Sequence, residues 1–494
     1  MFPGKAGVHN VARSTGCGTQ TVVFICPGGY ISGEEMEPTV PDPGAIGEMF
    51  RNVRAFMPGI IEDFRDLVAI PSVAFPGYPP EPVHRMAAAT VDLLRRYGLA
   101  DARLLEIPGG YPAVYGEIAA PPGAPVVLLY SHYDVQPARE EDGWETGPWA
   151  PVIRDGRLYG RGAADNKSGI ITIAGTLRAL GGRPPVGIKV IIEGEEETGS
   201  HLGAFVGANP ELFRCDLFVI TDMGKLEAGK PVLSTTLRGD VSCVVTVRTL
   251  GHAVHSGVFG GPAPDALVAL IRMLATLHDE RGDVAIPDLF LYPGAATEFP
   301  EDLYRKLSGM ADGVDTIGTG SISSRVWQKP SVTVIGIDAP SVRDAANILI
   351  PQARARISMR IAPGSDPQRE VRLLTGHLRA VAPWHVQVEV GDIWTSSGFI
   401  CPTGGRGYEA AKKVLEAVYR RPVQEIGGGG TIPLLNVLSR AVPGAEFVLW
   451  GCEDHERSAI HGPNESVSLI EVENMIVTQA LLLLALGERA APPG

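Results

Sequence analysis

Four carboxylate side chains are crowded into the segment Glu193-Gly194-Glu195-Glu196-Glu197. The segment directly follows the apolar run Val190-Ile191-Ile192, which is typical of a buried strand. Because like charges at the end of a buried strand raise each other's pKa values and cost free energy, we expect a cation or a shared proton beside them. A pair of metal ions is the simplest candidate, and a solvated acidic loop is the alternative.

Two further segments carry residue types that bind metal ions. His132 and Asp134 follow the apolar run at 126–130, and their two-residue spacing on a strand points both side chains to the same side. One can bind a metal ion while the other orients the imidazole, and a structural hydrogen bond is an equal alternative. Asp165 lies in a glycine-containing loop directly before a predicted helix, where a carboxylate can bridge two cations or cap the helix.

Asp222 and His461 complete the set of candidate ligands. Asp222 follows the apolar run at 216–220, and His461 lies in the polar segment 458–465. Taken alone, Asp222 fits a turn residue at a strand end, and His461 fits a structural histidine. Polar residues nevertheless follow three successive predicted strands, and ligands of open α/β sheets bind at the carboxyl ends of strands.

The elements that must position these residues alternate between helix and strand. Helical periodicity covers 46–69, 83–97 and 169–180, and apolar strands are predicted at 126–130, 187–192 and 216–220. Because strands and helices alternate, we expect a mostly parallel sheet flanked by helices. After Trp394 the alternation resumes, with helices at 408–419 and from Ile432, a strand at 446–450 and a tail helix.

The stretch between these two parts has the predicted order β-α-β-β-α-β. Its strands are predicted at 241–247, 331–337, 353–361 and 386–390, its helices at 264–277 and 367–380, and a long excursion at 287–328. It comprises about 160 residues, the size of a domain. The predicted fold class is therefore α/β, with a discontinuous catalytic domain at 46–236 and 396–494 and an inserted α+β lid domain at 237–395.

The length and composition of the chain indicate its number of domains, its type of partner and its compartment. A chain of 494 residues exceeds what one core usually supports, in agreement with two domains. Residues 1–45, punctuated by Gly, Pro, Ser and Thr, predict a disordered extension. The net charge of −13 argues against nucleic acid or a membrane surface as a partner. Six cysteines without CxxC spacing predict a reducing, cytoplasmic compartment.

Taken together and in order, five motifs resemble those of the M20 metallopeptidases, and most closely the carnosinase-like dipeptidases. They are SHYDVQP at 131–137, GRGAADNK at 160–167, EGEEETGS at 193–200, Asp222 and HGPNE at 461–465. The resemblance runs from about residue 50 to about residue 487. It implies a catalytic domain that holds two metal ions and a lid domain through which the protein forms a homodimer.

The resemblance also implies a ligand set for each metal ion. One ion would be held by His132, Asp165 and Asp222, and the other by Asp165, Glu197 and His461, so that Asp165 bridges the two. The nitrogen and oxygen donors suit Zn²⁺ first, with Mn²⁺ or Co²⁺ as alternatives, because ligand type does not separate these ions.

Two neighbouring residues receive supporting roles from the same resemblance. Glu196 would be the general base, which takes a proton from water and returns it to the leaving amine. Asp134 would orient His132. A pair of divalent cations in such a site activates water and polarises a carbonyl group. Glu195, where the family pattern is variable, fits a solvated role.

The lid and the C-terminal part contribute the remaining candidates. In resembling enzymes the histidine at the position of His255 reaches the partner subunit's site and stabilises the oxyanion; a lid-surface histidine is the alternative. Arg360 resembles the residue that binds the substrate carboxylate, and a surface salt bridge is the alternative. Gly429 and Thr431, at a helix start, would contact the substrate or merely cap the helix.

The predicted function is metal-dependent hydrolysis of dipeptides or short peptides with a free carboxyl end. Within the same chemistry, an N-acyl-amino-acid deacylase or a carboxypeptidase is the alternative. A non-catalytic metal-binding protein on this fold is the alternative from another class. The presence of Glu196 argues against it, because such a protein would lose the base and keep the ligands.

Overall fold

The computed structural model describes residues 41–294 and 297–488. Most of the predicted N-terminal extension, residues 1–40, therefore lies outside the described residues. The first helix begins at Pro43, with the Asp42 carboxylate accepting the N–H groups of Gly44 and Ala45. Helix α1 thus begins three residues before residue 46, where the sequence predicts the start of the catalytic domain.

Helices and strands succeed one another along the whole described chain. The helices are α1 (Pro43–Val68), α2 (Glu81–Arg96), α3 (Lys167–Ala179), α4 (Leu202–Ala208), α5 (Ser256–Phe259), α6 (Ala266–Ala275), α7 (Glu301–Ser308), α8 (Pro367–Ala380), α9 (Arg406–Tyr419), α10 (Pro433–Ala441) and α11 (Leu469–Gly487). The first nine strands are β1 (Arg103–Leu105), β2 (Ala113–Ile118), β3 (Val126–His132), β4 (Val152–Arg154), β5 (Arg157–Tyr159), β6 (Gly187–Glu193), β7 (Leu217–Ile220), β8 (Val232–Leu237) and β9 (Gly239–Arg248). The others are β10 (Val254–His255), β11 (Ser331–Asp338), β12 (Ile348–Leu349), β13 (Gln352–Ile361), β14 (Gln387–Ser396), β15 (Phe399–Ile400), β16 (Gln424–Gly428), β17 (Glu446–Leu449) and β18 (Ser466–Ser468).

A six-stranded sheet forms the centre of the larger part of the molecule. Its order is β1-β2-β6-β3-β7-β17. The neighbours β6, β3, β7 and β17 are parallel, and β2 runs antiparallel to β6. The carboxyl ends of β3, β6 and β7 consequently meet at one edge of the sheet, as the sequence predicts.

Helices cover this sheet and close its core. Helix α11 packs on α3, α9 and α1, and 13 of its 19 residues are buried. By length and composition alone α11 could cross a membrane, but 72% of its apolar window is buried inside the protein. Because its apolar surface is already covered, it serves as a core helix.

The inserted unit has its own sheet and core. The four strands are ordered β11-β13-β9-β14 and all neighbours are antiparallel. Along β13 burial alternates residue by residue, and helices α6 and α8 pack on the buried face. The predicted α/β fold with an inserted α+β unit is confirmed, whereas the residue boundaries of the domains stay a prediction.

The excursion at 287–328 has more structure than its sequence predicts. It contains α7 and contributes Phe299, Ile322 and Trp327 to a small core that also includes Val232 of β8 and Ile426 of β16. The rings of Phe299 and Trp327 are stacked with centroids 5.6 Å apart. Isolated aromatic anchors thus attach the excursion to strands β8 and β16, and such anchors leave no periodic signal in the sequence.

Candidate metal centre

The candidate ligands converge at the carboxyl edge of the central sheet. His132 is the last residue of β3, Asp222 follows β7 closely, and Glu196 and Glu197 lie in the turn after β6. Each of the three strands is a buried apolar run, and polar residues follow it where it reaches this edge. A cavity of about 590 Å³ opens beside them and is lined by Asp165, Glu196, Glu197, Asp222 and His461.

His132 is fully buried and faces two carboxylates with one ring nitrogen. Its Nδ1 lies 3.1 Å from the backbone oxygen of Asp134, which can only accept, so Nδ1 carries a proton. Its Nε2 lies 3.0 Å from Asp165 Oδ1 and 3.3 Å from Asp222 Oδ1. In the neutral ring, Nε2 therefore directs a lone pair toward two anionic oxygens, an arrangement that calls for a cation between them.

A second group forms on the other side of Asp165. His461 Nε2 lies 3.0 Å from Asp165 Oδ2 and 3.4 Å from Glu197 Oε1. The two oxygens of Asp165 thus face different imidazoles, which is the geometry that a bridging carboxylate needs. Glu197 Oε1 is buried without a hydrogen-bond partner among the described residues, so it retains a free lone pair.

Asp134, which was predicted to orient His132, also holds the turn that carries Glu196 and Glu197. Its carboxylate is fully buried and lies 3.4 Å from His132 Nδ1. Its oxygens also accept the backbone N–H groups of Glu196 at 3.1 Å and Glu197 at 3.0 Å. One side chain therefore orients the imidazole and fixes the turn that carries both glutamates. Gln136, to which no sequence pattern assigned a role, donates to Glu197 Oε2 at 2.6 Å.

Glu465 positions the loop of Asp165, a role that was not predicted from the sequence. Its buried carboxylate accepts the backbone N–H groups of Gly162, Ala164 and Asp165 at 2.9–3.0 Å. Arg161 completes the set, with Nη1 2.6 Å from Oε2. The available signal was the place of Glu465 in the HGPNE motif.

The loop that carries His461 departs from ordinary backbone conformations. His461 has φ +62°, and Ala459 and Asn464 also have positive φ values. Non-glycine residues adopt this region at a cost and keep it only where their surroundings hold them. Here Asn464 Oδ1 accepts the N–H of Glu145 at 2.8 Å, and Gly462 N–H donates to the Ala459 oxygen at 2.9 Å.

The concentration of negative charge shifts the pKa values of the group. Burial, reinforced by neighbouring carboxylates, raises the pKa of Glu196 well above its usual value, and burial raises that of Glu197 as well. Burial opposes ionisation of Asp165, but hydrogen bonds from His132 and His461 hold its pKa below the usual range. The hydrogen bond to Asp165 and the nearby Glu197 carboxylate raise the pKa of His461 to about 10.

The donors fit a pair of divalent cations. Two groups have all their ligand atoms within 4.8 Å of one another, namely His132, Glu196 and Asp222, and Asp165, Glu197 and His461. Together they comprise two imidazoles and four carboxylates, a set of nitrogen and oxygen donors that suits divalent cations. Glu196 is grouped here with the ligands around His132, and Asp165 touches both groups through its two oxygens.

Comparison with known proteins identifies the family. Residues 128–486 match the model of Peptidase family M20/M25/M40. The chain belongs to this family. The predicted resemblance is thereby confirmed, and the chain is a metallopeptidase, so the alternative of a non-catalytic metal-binding protein is set aside.

Relatives of this M20 peptidase include proteins named as dipeptidases. A cysteinylglycine-S-conjugate dipeptidase of Corynebacterium striatum is 38% identical over 373 residues, which cover 74% of this chain and 82% of the relative. A Beta-Ala-His dipeptidase of Homo sapiens is 27% identical over 463 residues, covering 87% and 90%. The structure of human carnosine dipeptidase 1 aligns with a TM-score of 0.76 and 26% identity, over 91% of this chain and 100% of that one.

Three candidates of the M20 peptidase were predicted to contact the substrate, namely Gly429, Thr431 and Arg360. Gly429 and Thr431 line the catalytic cavity. Helix α10 begins at Pro433 after Ile432, and no side chain caps it, so Thr431 is not its cap. Arg360 lies near the end of β13, opposite Ser331 of β11. Its side chain forms no ion pair among residues 41–294 and 297–488, so the surface salt bridge is not observed.

His255 lies outside the cavity of its own chain. It is exposed and accepts the N–H of Gly257 on Nδ1 at 3.1 Å. In the neutral ring the proton must then be on Nε2, which makes the outward nitrogen a hydrogen-bond donor.

Glu195 is less solvated than predicted. Its carboxylate lies 2.9 Å from His201 Nδ1, and its side chain is 12% exposed. Glu193 is buried and accepts the Tyr130 hydroxyl at 2.9 Å. Of the four glutamates at 193–197, Glu193 and Glu195 therefore make structural contacts, whereas Glu196 and Glu197 face the cavity.

Proposed function

We propose that the protein hydrolyses the peptide bond of dipeptides or similar short peptides that have a free carboxyl end. The observation that carries this proposal is that two imidazole Nε2 atoms each face two carboxylates, with Asp165 shared between them. The dipeptidase names of the relatives support the substrate class.

The residues of the site divide the work of hydrolysis. Two divalent cations, when bound, supply a Lewis acid for the scissile carbonyl and make water a stronger nucleophile. His132, Asp165 and Asp222 would hold one cation, and Asp165, Glu197 and His461 the other. Glu196 lines the cavity directly beside them and acts as the general base, taking the proton of water and delivering it to the leaving amine.

Three residues away from the metal ligands are the candidates for orienting the substrate. Arg360, on β13 opposite Ser331, would offer a guanidinium fork for the substrate carboxylate. Gly429 and Thr431 line the cavity and would contact the substrate along its wall. His255 would donate to the oxyanion of the site in a second copy of the chain. This requires a homodimer through the lid, and the outward Nε2 of His255 supports the role because it donates without a positive charge.

The metal and the compartment follow from donor chemistry and cysteine usage. Nitrogen and oxygen ligands favour Zn²⁺, with Mn²⁺ and Co²⁺ as alternatives. Cys215, Cys243, Cys401 and Cys452 are free thiols, which supports a reducing cytoplasmic location. The charge of −13 supports small peptides over nucleic acids or membranes as partners.

The proposal is tested with a panel of dipeptides, N-acyl amino acids and longer peptides. The protein is stripped of metal, reloaded with Zn²⁺, Mn²⁺ or Co²⁺, and assayed for each substrate. Cleavage of dipeptides only in the metal-loaded states supports the proposal. Cleavage of N-acyl amino acids alone would assign the deacylase activity instead, and no cleavage of any peptide would refute the peptidase proposal.

Substitutions at two adjacent glutamates test whether Glu196 is the general base. Glu196→Gln should abolish turnover while the bound metal content stays at the wild-type level. Glu195→Gln is the matched control, because Glu195 contacts His201 and does not line the cavity. Equal turnover in Glu196→Gln and wild type would rule out the general-base role.

A further inference from the structure

Arg238 is a buried cation without an acidic partner. It lies between β8 and β9, is 8% exposed, and forms no ion pair within the described part of the chain. The electrostatic attraction of Asp240 reaches it, but the Asp240 carboxylate accepts the hydroxyl of Ser358 instead. A buried guanidinium is costly unless an anion compensates its charge, so this position calls for an anionic ligand.

Most of the donors of this guanidinium are unused. Nη1 donates to Ser331 Oγ at 3.0 Å and weakly to the Lys329 oxygen at 3.5 Å. Nε is buried without an acceptor among the described residues. The side-chain hydrogen bonds of Arg238 to these residues come from Nη1 and none from Nη2. Nε and Nη2 are the two nitrogens that together bind a carboxylate in the bidentate geometry. The side chain is therefore held at one nitrogen and free on the edge that recognises carboxylates.

A second unpaired guanidinium is close to the first. Arg360 pairs with Ser331 across β13 and β11, and the hydroxyl of Ser331 is the group that Arg238 contacts. The positive charge of Arg360 also acts on Arg238 directly and lowers its pKa, after the larger effect of burial, to about 10. Two like charges that repel each other are both stabilised by one anion placed between them.

The position of Arg238 connects two cavities. Its backbone N–H donates to the Gly428 oxygen at 3.2 Å, and Gly428 lines the catalytic cavity. Its side chain lines a second cavity of about 560 Å³, which shares Tyr304 and Val326 with the first. An anion bound to Arg238 would therefore lie in the second cavity, next to the glycine segment that lines the first.

We propose that Arg238 is a second substrate-anchoring arginine, which binds the free carboxylate of the substrate together with Arg360. The inference rests on the proposed function and specifies how the site selects peptides with a free carboxyl end. Arg360 sits at the end of the alternating strand β13, whereas Arg238 is anchored by Ser331 and the glycine segment at 427–430. The two forks thus approach the carboxylate from different elements.

The test compares a free acid with its amide. The probes are the best-cleaved dipeptide of the panel and the same dipeptide with its carboxylate converted to a carboxamide. Dissociation constants are measured by calorimetry in the metal-loaded Glu196→Gln protein, which leaves the probes intact. Because one charge-assisted bidentate contact is at stake, Arg238→Gln should reduce the preference for the acid over the amide by about 10- to 100-fold.

Two further variants control the interpretation. Arg325→Gln is the matched control, because Arg325 lines the same second cavity but donates to the Ile317 oxygen; the preference should stay unchanged. Arg238→Lys keeps the positive charge but not the two parallel donors of the guanidinium, so the preference for the acid over the amide should fall by about tenfold. This variant replaces Arg238→Gln in the test if Arg238→Gln does not fold.

The outcomes distinguish this inference from the proposed function. If the wild-type enzyme cleaves dipeptides and Arg238→Gln or Arg238→Lys weakens acid and amide equally, Arg238 is structural and the inference is overturned. If the wild-type enzyme cleaves no dipeptide, the proposed function fails and the inference fails with it. In the active enzyme, the same substitution should raise KM for the acid more than it lowers kcat.

Discussion

Replacing Glu465 by glutamine tests whether the metal centre depends on a residue that touches no metal ligand side chain. Glu465 is fully buried and accepts four N–H donors, two on each oxygen. Oε1 binds the backbone of Ala164 and Asp165, and Oε2 binds Gly162 and Arg161. A glutamine has the same shape, but one of its two oxygens is replaced by an amino group.

The cost follows from the geometry. Whichever way the amide is turned, its NH₂ group faces two N–H donors, so two hydrogen bonds to a charged acceptor are lost. Each is worth about 1.5–3 kcal/mol, which predicts a loss of about 3–6 kcal/mol in the free energy of unfolding. Since the loop carries Asp165, metal affinity should also fall by about 10- to 100-fold.

The assay separates the two effects. Urea unfolding of the metal-free protein reports stability, and competition with a chromogenic chelator reports metal affinity. Glu145→Gln is the control, because the Glu145 carboxylate is exposed and pairs with an exposed arginine at 2.8 Å; little change is expected. If Glu465→Gln unfolds at the wild-type urea concentration and binds metal equally well, the loop does not depend on this carboxylate.

Three other predictions test separate parts of the structure. Asp134→Asn should lower metal affinity by about 10- to 100-fold in the same chelator assay, because an amide cannot accept both backbone N–H groups of the glutamate turn; wild-type affinity would contradict this. Glu471→Gln should cost about 3–5 kcal/mol at neutral pH in urea unfolding, because it leaves the buried Lys225 unpaired. Burial would raise the pKa of Glu471, but the charge of Lys225 lowers it overall. The stabilisation by this ion pair is therefore complete above a pH of about 4.3, the usual pKa of a glutamate, and is lost as the pH falls through the lowered pKa. The stability of the Glu471→Gln variant should not show this dependence on acid. His255→Gln should be nearly inactive, yet mixing it with inactive Glu196→Gln should restore about a quarter of wild-type activity, since half of randomly mixed dimers would have one complete site. No recovery after subunit exchange, or a monomer in sedimentation, would contradict action across subunits.

Much of the central sheet and its polar edge follows from local sequence patterns. The runs that form β3, β6 and β7 are continuous, apolar and bounded by polar residues, so both their strand character and the location of His132 and Asp222 could be predicted. The strand β13 alternates cleanly and matches its predicted range to within one residue.

Other features depend on partners that are distant in the sequence. Strand β8 was not predicted, and β16 appeared only as a glycine run; the two pair with each other in parallel across almost 200 positions. Glu465 and Arg161 are likewise separated by 304 positions. A lone polar residue that binds a distant backbone shows no period along the chain, so neither its burial nor its role is encoded in local patterns.

The segment from Asp454 to Ser466 explains why the two halves of the catalytic part must fold together. The segment provides His461 as a candidate ligand, and Glu465 fixes the loop of Asp165, the residue that faces both imidazoles. Its own position is fixed from the first half, because the buried Arg157 pairs with Asp454 at 2.8 Å and donates to Ser466. Each half therefore holds a ligand of the other in place. The contacts named here that position the candidate ligands join residues of the two halves and involve no residue of the lid. The lid can therefore be inserted between the two halves in the sequence without disturbing the geometry of the metal site.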